Sequence, residues 1–471
     1  MPWVDKGTAG SPYMQTQEYI KKVQNKEISP VKTAQAILKE AKAINKDYHY
    51  FNTFSEELAL QQAEKIEKNP QGKLAGLPVS VKDCICVKGV ESTAGSYILR
   101  GYKPIFHATI IEKLISEGAI IIGKTSQDEF GFGSFNINIS IDRQHPRNPY
   151  DKERVTGGSS GGSAGFTAIT KHPHVSIAES TGGSISSPAS FCGVAGLTPT
   201  YGLVSRYGLI DYANSLDKIG PIAKSVSETK LILDIIKGHD EKDSTSLKQE
   251  INKNKEVKKI AIIKESLNID KELKDIILQR LKEKNIKYDL ISLPLTEKYA
   301  LATYYIIAMS EASTNLAKYS GIRYGISEEL TGNFDEYFSK VRSKYFNKES
   351  KRRIILGTFA RMSGFRDAYY LKAMKVRTLI IEEYRKAFSK YGLLISPTMP
   401  IIAPKFSEVS KLTPLQNYMM DILTVGPNLA GLPHLSVNAG FSKKMPVGLQ
   451  LIANHLNENK LFALGEQIEQ I

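Results

Sequence analysis

Val175-Ser176-Ile177-Ala178-Glu179-Ser180-Thr181-Gly182-Gly183-Ser184 reads as a short buried strand that runs into a glycine turn and ends on a serine. The apolar run 175–178 is too short for a helix and has the compactness of a strand covered on both faces. In the turn, the backbone N–H groups of Thr181, Gly182, Gly183 and Ser184 can face one point, and glycine keeps side chains out of a substrate's way. Donors arranged in this way suit an oxyanion hole.

Working outward, a second glycine-rich serine cluster lies upstream, Gly157-Gly158-Ser159-Ser160-Gly161-Gly162-Ser163-Ala164, and Lys82 lies in the strand-like Leu77-Pro78-Val79-Ser80-Val81-Lys82-Asp83. The first cluster lacks the Gly-Lys-Ser/Thr ending of a phosphate-binding loop. It matches Gly-x-Ser-x-Gly twice, at Ser159 and Ser160, but the loop-like Asn148-Pro149-Tyr150-Asp151 precedes it where a nucleophile elbow needs a strand. A serine hydroxyl needs a base before it attacks, and a desolvated lysine can be that base. Together the residues read as amide hydrolysis through an acyl-serine.

Further short apolar runs at 77–81, 119–122, 259–263, 393–396, 435–437 and 447–452 alternate with helical patterns at 108–117, 271–285, 297–319 and 366–391. The expected fold is α/β: a single large domain whose central mixed sheet is covered by helices on both faces. Residues 14–69 read as helical, with Tyr19, Ile20, Val23 and Ala34, Ile37, Leu38 at three- and four-residue steps and Ser29-Pro30 as a helix start. The expected segments are a loose leader 1–13, a helical segment 14–75, a catalytic core 76–240 and a helix-rich pocket region 241–471 completing the same sheet. The lysine- and asparagine-rich stretch 241–257 reads as a surface loop or helix end.

With 63 basic and 49 acidic residues the net charge of +14 favours an anionic partner such as RNA, yet no basic block with interleaved aromatics marks a nucleic-acid module. Cys84, Cys86 and Cys192 lack zinc spacing and read as reduced thiols, so no metal site is expected. The N-terminus has no apolar signal core, and no run reaches transmembrane length, so a cytoplasmic chain is expected.

The two clusters with Lys82, extended through Pro188-Ala189-Ser190-Phe191-Cys192-Gly193 and Gly196-Leu197-Thr198-Pro199, resemble the amidase signature family. The resemblance implies a Ser–cis-Ser–Lys triad: Ser184 as nucleophile, Ser159 as the bridging serine after a cis Gly158–Ser159 peptide, and Lys82 as base. Two positions depart from the family run Asp-Thr-Gly-Gly-Ser-Ile-Arg: Ser180 replaces the Asp and Ser186 the Arg, and neutral hydrogen bonds are expected in place of that charge pair.

Asn214-Ser215-Leu216-Asp217-Lys218-Ile219-Gly220-Pro221, Lys375-Val376-Arg377-Thr378-Leu379 and Asn428-Leu429-Ala430-Gly431-Leu432-Pro433 resemble the family's glutamine-hydrolysing branch, which serves tRNA-dependent amidation. This implies a glutamine amidohydrolase subunit of a carbon–nitrogen ligase. It implies B-like and C-like partner subunits, mischarged tRNA met mainly through the partner, and ATP with Mg²⁺ on the partner, with no cofactor in this chain. Arg353 and Asp421 are implied for the glutamine carboxylate and ammonium, with Tyr319 as a third pocket candidate. The competing readings are a free-standing amidase with the same triad and a basic tRNA-binding subunit with vestigial catalysis.

Overall fold

A mixed sheet of eleven strands organises the chain in the computed structural model, which describes residues 14–469. The strands are β1 (Phe51–Phe54), β2 (Pro78–Lys82), β3 (Ile120–Thr125), β4 (Val175–Ser180), β5 (Ala195–Thr198), β6 (Lys218–Ala223), β7 (Ile260–Ile263), β8 (Asp289–Ile291), β9 (Leu393–Pro397), β10 (His434–Ser442) and β11 (Met445–Ala453). Their order is β1-β3-β2-β4-β6-β5-β10-β11-β9-β7-β8. β3, β2 and β4 run parallel, the ladders from β4 through β6, β5, β10 and β11 to β9 are antiparallel, and β9, β7 and β8 are parallel again. Every residue of β2, β3, β4, β5, β6, β9 and β11 is buried. A strand buried on both faces has helices on both sides, which is why these strands stay buried along their whole length.

The helices that matter here are α1 (Thr16–Gln24), α2 (Pro30–Tyr48), α3 (Glu56–Lys68), α4 (Thr109–Ser116), α5 (Gly161–Ile169), α6 (Ser186–Cys192), α7 (Val226–Ile236), α8 (Lys271–Glu283), α9 (Pro294–Asn315), α10 (Phe334–Tyr345), α11 (Lys348–Arg361) and α12 (Lys372–Phe388). α2 starts as expected, with Pro30 in its first turn and the Ser29 hydroxyl accepting from the Lys32 N–H. The helical reading of 14–69 is corrected at one place. Phe51–Phe54 is a strand, paired antiparallel with β3 at the sheet edge. His49 ends α2 in the left-handed conformation, and Phe51 then packs against Phe54 and Phe166. Stretch 241–257 carries no regular helix or strand, as the surface-loop reading expected. Residues 1–13, read as a loose leader, lie outside the described residues.

Candidate active site

β2 and β4 are neighbours in the sheet, and this adjacency brings the lysine and the serine turn together. Lys82 is the last residue of β2, fully buried, and the turn that carries Ser184 follows β4 directly. Lys82 Nζ donates to Ser159 Oγ at 2.7 Å, to the Glu179 carbonyl at 2.9 Å and to Glu179 Oε2 at 2.8 Å. Three acceptors match the three donors of an ammonium. The Gly158–Ser159 peptide is cis, and Gly158 N–H donates to the Ser134 carbonyl at 2.8 Å.

Ser184 is slightly exposed, and its hydroxyl makes no hydrogen bond to another described residue. Nor, among the described residues, do the N–H groups of Thr181, Gly182, Gly183 and Ser184 find an acceptor. Both glycines are required by space. A Cβ on Gly182 would lie 2.4 Å from the Tyr304 ring, and one on Gly183 would lie 2.3 Å from Thr424 Oγ1. The expected replacement of the Asp–Arg pair by neutral hydrogen bonds is not what forms: the Ser180 and Ser186 hydroxyls are buried and make no hydrogen bond among the described residues.

Arg353 projects from α11 into a ring of aromatics. Its guanidinium lies 5.0 Å from the Phe132 ring centre, 5.3 Å from Tyr305, 5.4 Å from Tyr418 and 5.7 Å from Tyr212. It donates to Glu349 Oε1 at 2.8 Å, one helical turn back, and to the Tyr212 hydroxyl at 2.6 Å. Asp421 accepts from the Tyr305 hydroxyl at 2.6 Å, so Tyr305 ties the two charged candidates together. Burial raises the Asp421 carboxyl above its ordinary range. A cavity of about 240 Å³ opens here, lined in part by Ser134, Glu349, Arg353 and Tyr418. Consecutive residues of α9 link pocket to turn, Tyr304 covering Gly182 and Tyr305 holding Asp421.

Tyr319 is not part of this group. It stacks on Phe130 at 5.3 Å and meets Tyr324 edge-on at 5.9 Å, a core position beside the short helix that follows α9. The residues not singled out from the sequence are Glu179, Tyr304, Tyr305, Glu349 and Tyr418. Glu179 had a signal: an acidic residue inside an apolar strand run needs a cation, and Lys82 sits in another such run. Glu349 had the four-residue helical spacing to Arg353. Among the described residues, no group of His, Cys, Asp and Glu has the grouping to hold a metal, and no helix is long and apolar enough to cross a membrane. The three cysteines are buried and unpaired.

The chain belongs to the amidase family, whose model matches residues 32–462, and its candidate active site is a buried lysine bonded to a serine after a cis peptide, beside a turn of open N–H donors. Among its curated relatives are the A subunits of the glutamyl-tRNA(Gln) amidotransferases of Archaeoglobus fulgidus and Carboxydothermus hydrogenoformans. The first is 48% identical, the match covering 88% of this chain and 91% of that protein. The second is 44% identical over 97% of both. The solved structure of the corresponding Thermotoga maritima glutamyl-tRNA(Gln) amidotransferase chain superposes with a TM-score of 0.78 at 32% identity, covering 98% of this chain and 95% of that one.

Proposed function

We propose that this chain is the glutamine-hydrolysing subunit of a tRNA-dependent amidotransferase. The observation that carries the reading is Lys82 Nζ at 2.7 Å from Ser159 Oγ, beside a turn whose four N–H donors are open. Ser184 Oγ attacks the side-chain amide carbon of glutamine. Its proton passes to Ser159, whose own proton passes to Lys82, and the open N–H groups of Thr181, Gly182, Gly183 and Ser184 receive the oxyanion. On collapse the carbon–nitrogen bond breaks, the relay returns a proton to nitrogen and ammonia leaves. Water then hydrolyses the Ser184 ester to glutamate by the same relay.

Arg353 takes the α-carboxylate of glutamine and Asp421 its ammonium. The names of the relatives, together with 42–48% identity over most of the chain, support the amidotransferase role. In that role a B-like subunit uses ATP and Mg²⁺ to activate Glu on tRNA(Gln), or Asp on tRNA(Asn), for the ammonia released here. A C-like subunit completes a cytoplasmic assembly.

The test is ammonia release from glutamine by the purified chain, alone and with B-like and C-like subunits, ATP and mischarged tRNA. Release that rises with the full assembly and disappears in Ser184→Ala is the expected outcome. Rapid hydrolysis of simple amides with no response to partners would instead mark a free-standing amidase.

A further inference from the structure

The relay requires Lys82 to be neutral, yet all three of its donors are engaged as an ammonium's would be, one of them by a carboxylate. We propose that Glu179 is a positioning residue that takes the proton Lys82 must shed before it serves as base. This rests on the amidase reading above. The proton moves 2.8 Å from Lys82 Nζ to Glu179 Oε2, turning an ammonium–carboxylate pair into a neutral amine and a carboxylic acid. No proton leaves the site. Lys82 then accepts the proton of Ser159 as Ser159 accepts that of Ser184. The positive charge so created balances the oxyanion; on collapse Lys82 gives its proton through Ser159 to the leaving nitrogen, and Glu179 returns its own to Lys82.

The other oxygen of Glu179 is held for this task. Thr181 Oγ1 lies 2.7 Å from Glu179 Oε1 and 2.7 Å from Asp217 Oδ1. One hydroxyl has one proton to donate, so Thr181 serves one of the two carboxyls at a time. Asp217 also accepts from the Tyr212 and Ala213 N–H groups, and burial and the neighbouring charge of Glu179 raise its carboxyl well above its ordinary range. The Thr181 hydroxyl donates to Glu179 Oε1, and Glu179 Oε2 is left for Lys82. The other titratable or charged groups facing this cluster are the Cys84 thiol, pushed up by burial, Asp128, Arg206 and the Tyr201 and Tyr212 phenols.

The test is phosphonylation of Ser184 by a fluorophosphonate, read by intact mass on the full chain from about pH 5 to about pH 10. This reaction does not depend on which amide is cleaved, so a chain that phosphonylates as expected but releases no ammonia from glutamine counts against the functional reading alone. With Glu179 as the proton holder, the wild-type rate is half-maximal below about pH 8. In Glu179→Gln the proton must go to solvent, so the half-maximum moves up by at least about one unit, about tenfold slower at neutral pH, and converges on wild type at the alkaline end. A half-maximum that moves down, or a uniform fall with the limb unmoved, overturns the proposal. If the variant does not fold, the wild-type limb decides, and a half-maximum above about pH 8 overturns the proposal.

Discussion

Glu129 is buried near the start of α11, where it accepts from Ser96, Ser350 and the Asn347 N–H. Burial raises its carboxyl from 4.5 to about 7, and Asp128 beside it rises from 3.8 to about 6. An acid raised in the folded state holds its proton where the unfolded chain has lost it. Its stabilising contribution is therefore complete below the unfolded value and is lost as pH rises through the folded one. For Glu129 the loss is on the order of 3 kcal/mol. The melting temperature of Glu129→Gln is expected to gain on wild type between pH 5 and pH 8, measured by calorimetry at matched ionic strength; a constant difference would contradict the assignment. Tyr305→Phe removes the donor that orients Asp421. The expected result is a KM for glutamine raised about tenfold with kcat within a few-fold, read from steady-state ammonia release. Both carboxylates lie in ordinary-looking sequence, since no local pattern records which distant hydroxyls will surround a given Asp or Glu.

At the level of elements, the candidate active site is a meeting of strand ends with one helix. β2 delivers Lys82, β4 delivers Glu179 and the glycine turn, and α9 closes over that turn with Tyr304. Gly183→Ala would drive a methyl into Thr424 and push the turn out of line. Its kcat is expected to fall by at least about a hundredfold while the melting temperature changes by only a few degrees, as loss of aligned oxyanion donors demands. A fall in kcat below about threefold would show the turn can re-form around the methyl. The glycine turn is legible in the residues themselves because their types answer to local needs: no side chain, open N–H groups, one nucleophile. The edge strand Phe51–Phe54 is not. Four residues between two helices carry too little periodicity to separate strand from helix, and pairing with β3, some seventy positions later, settles it.

On the scale of the whole molecule, the sheet does not divide where the catalytic motifs end. β5 pairs with β10, and α6, which follows Ser184, packs against β10 and β11. A fragment ending at residue 240 would expose the free edge of β5 and the apolar underside of α6. It is expected to be insoluble or to lack near-ultraviolet circular dichroism, whereas a soluble fragment with a native-like aromatic spectrum would show that the first half folds alone. The α/β class and the run of buried strands could be read along the chain because burial periodicity is a property of neighbouring residues, and the two serines and the lysine stand out there as candidates because glycine chemistry is too. The Arg353–Tyr305–Asp421 group, the exclusion of Tyr319 from it and the ion pair of Lys82 with Glu179 could not. Each joins residues dozens to hundreds of positions apart, and their distances are set by strand order and helix docking, which follow from how the entire core packs.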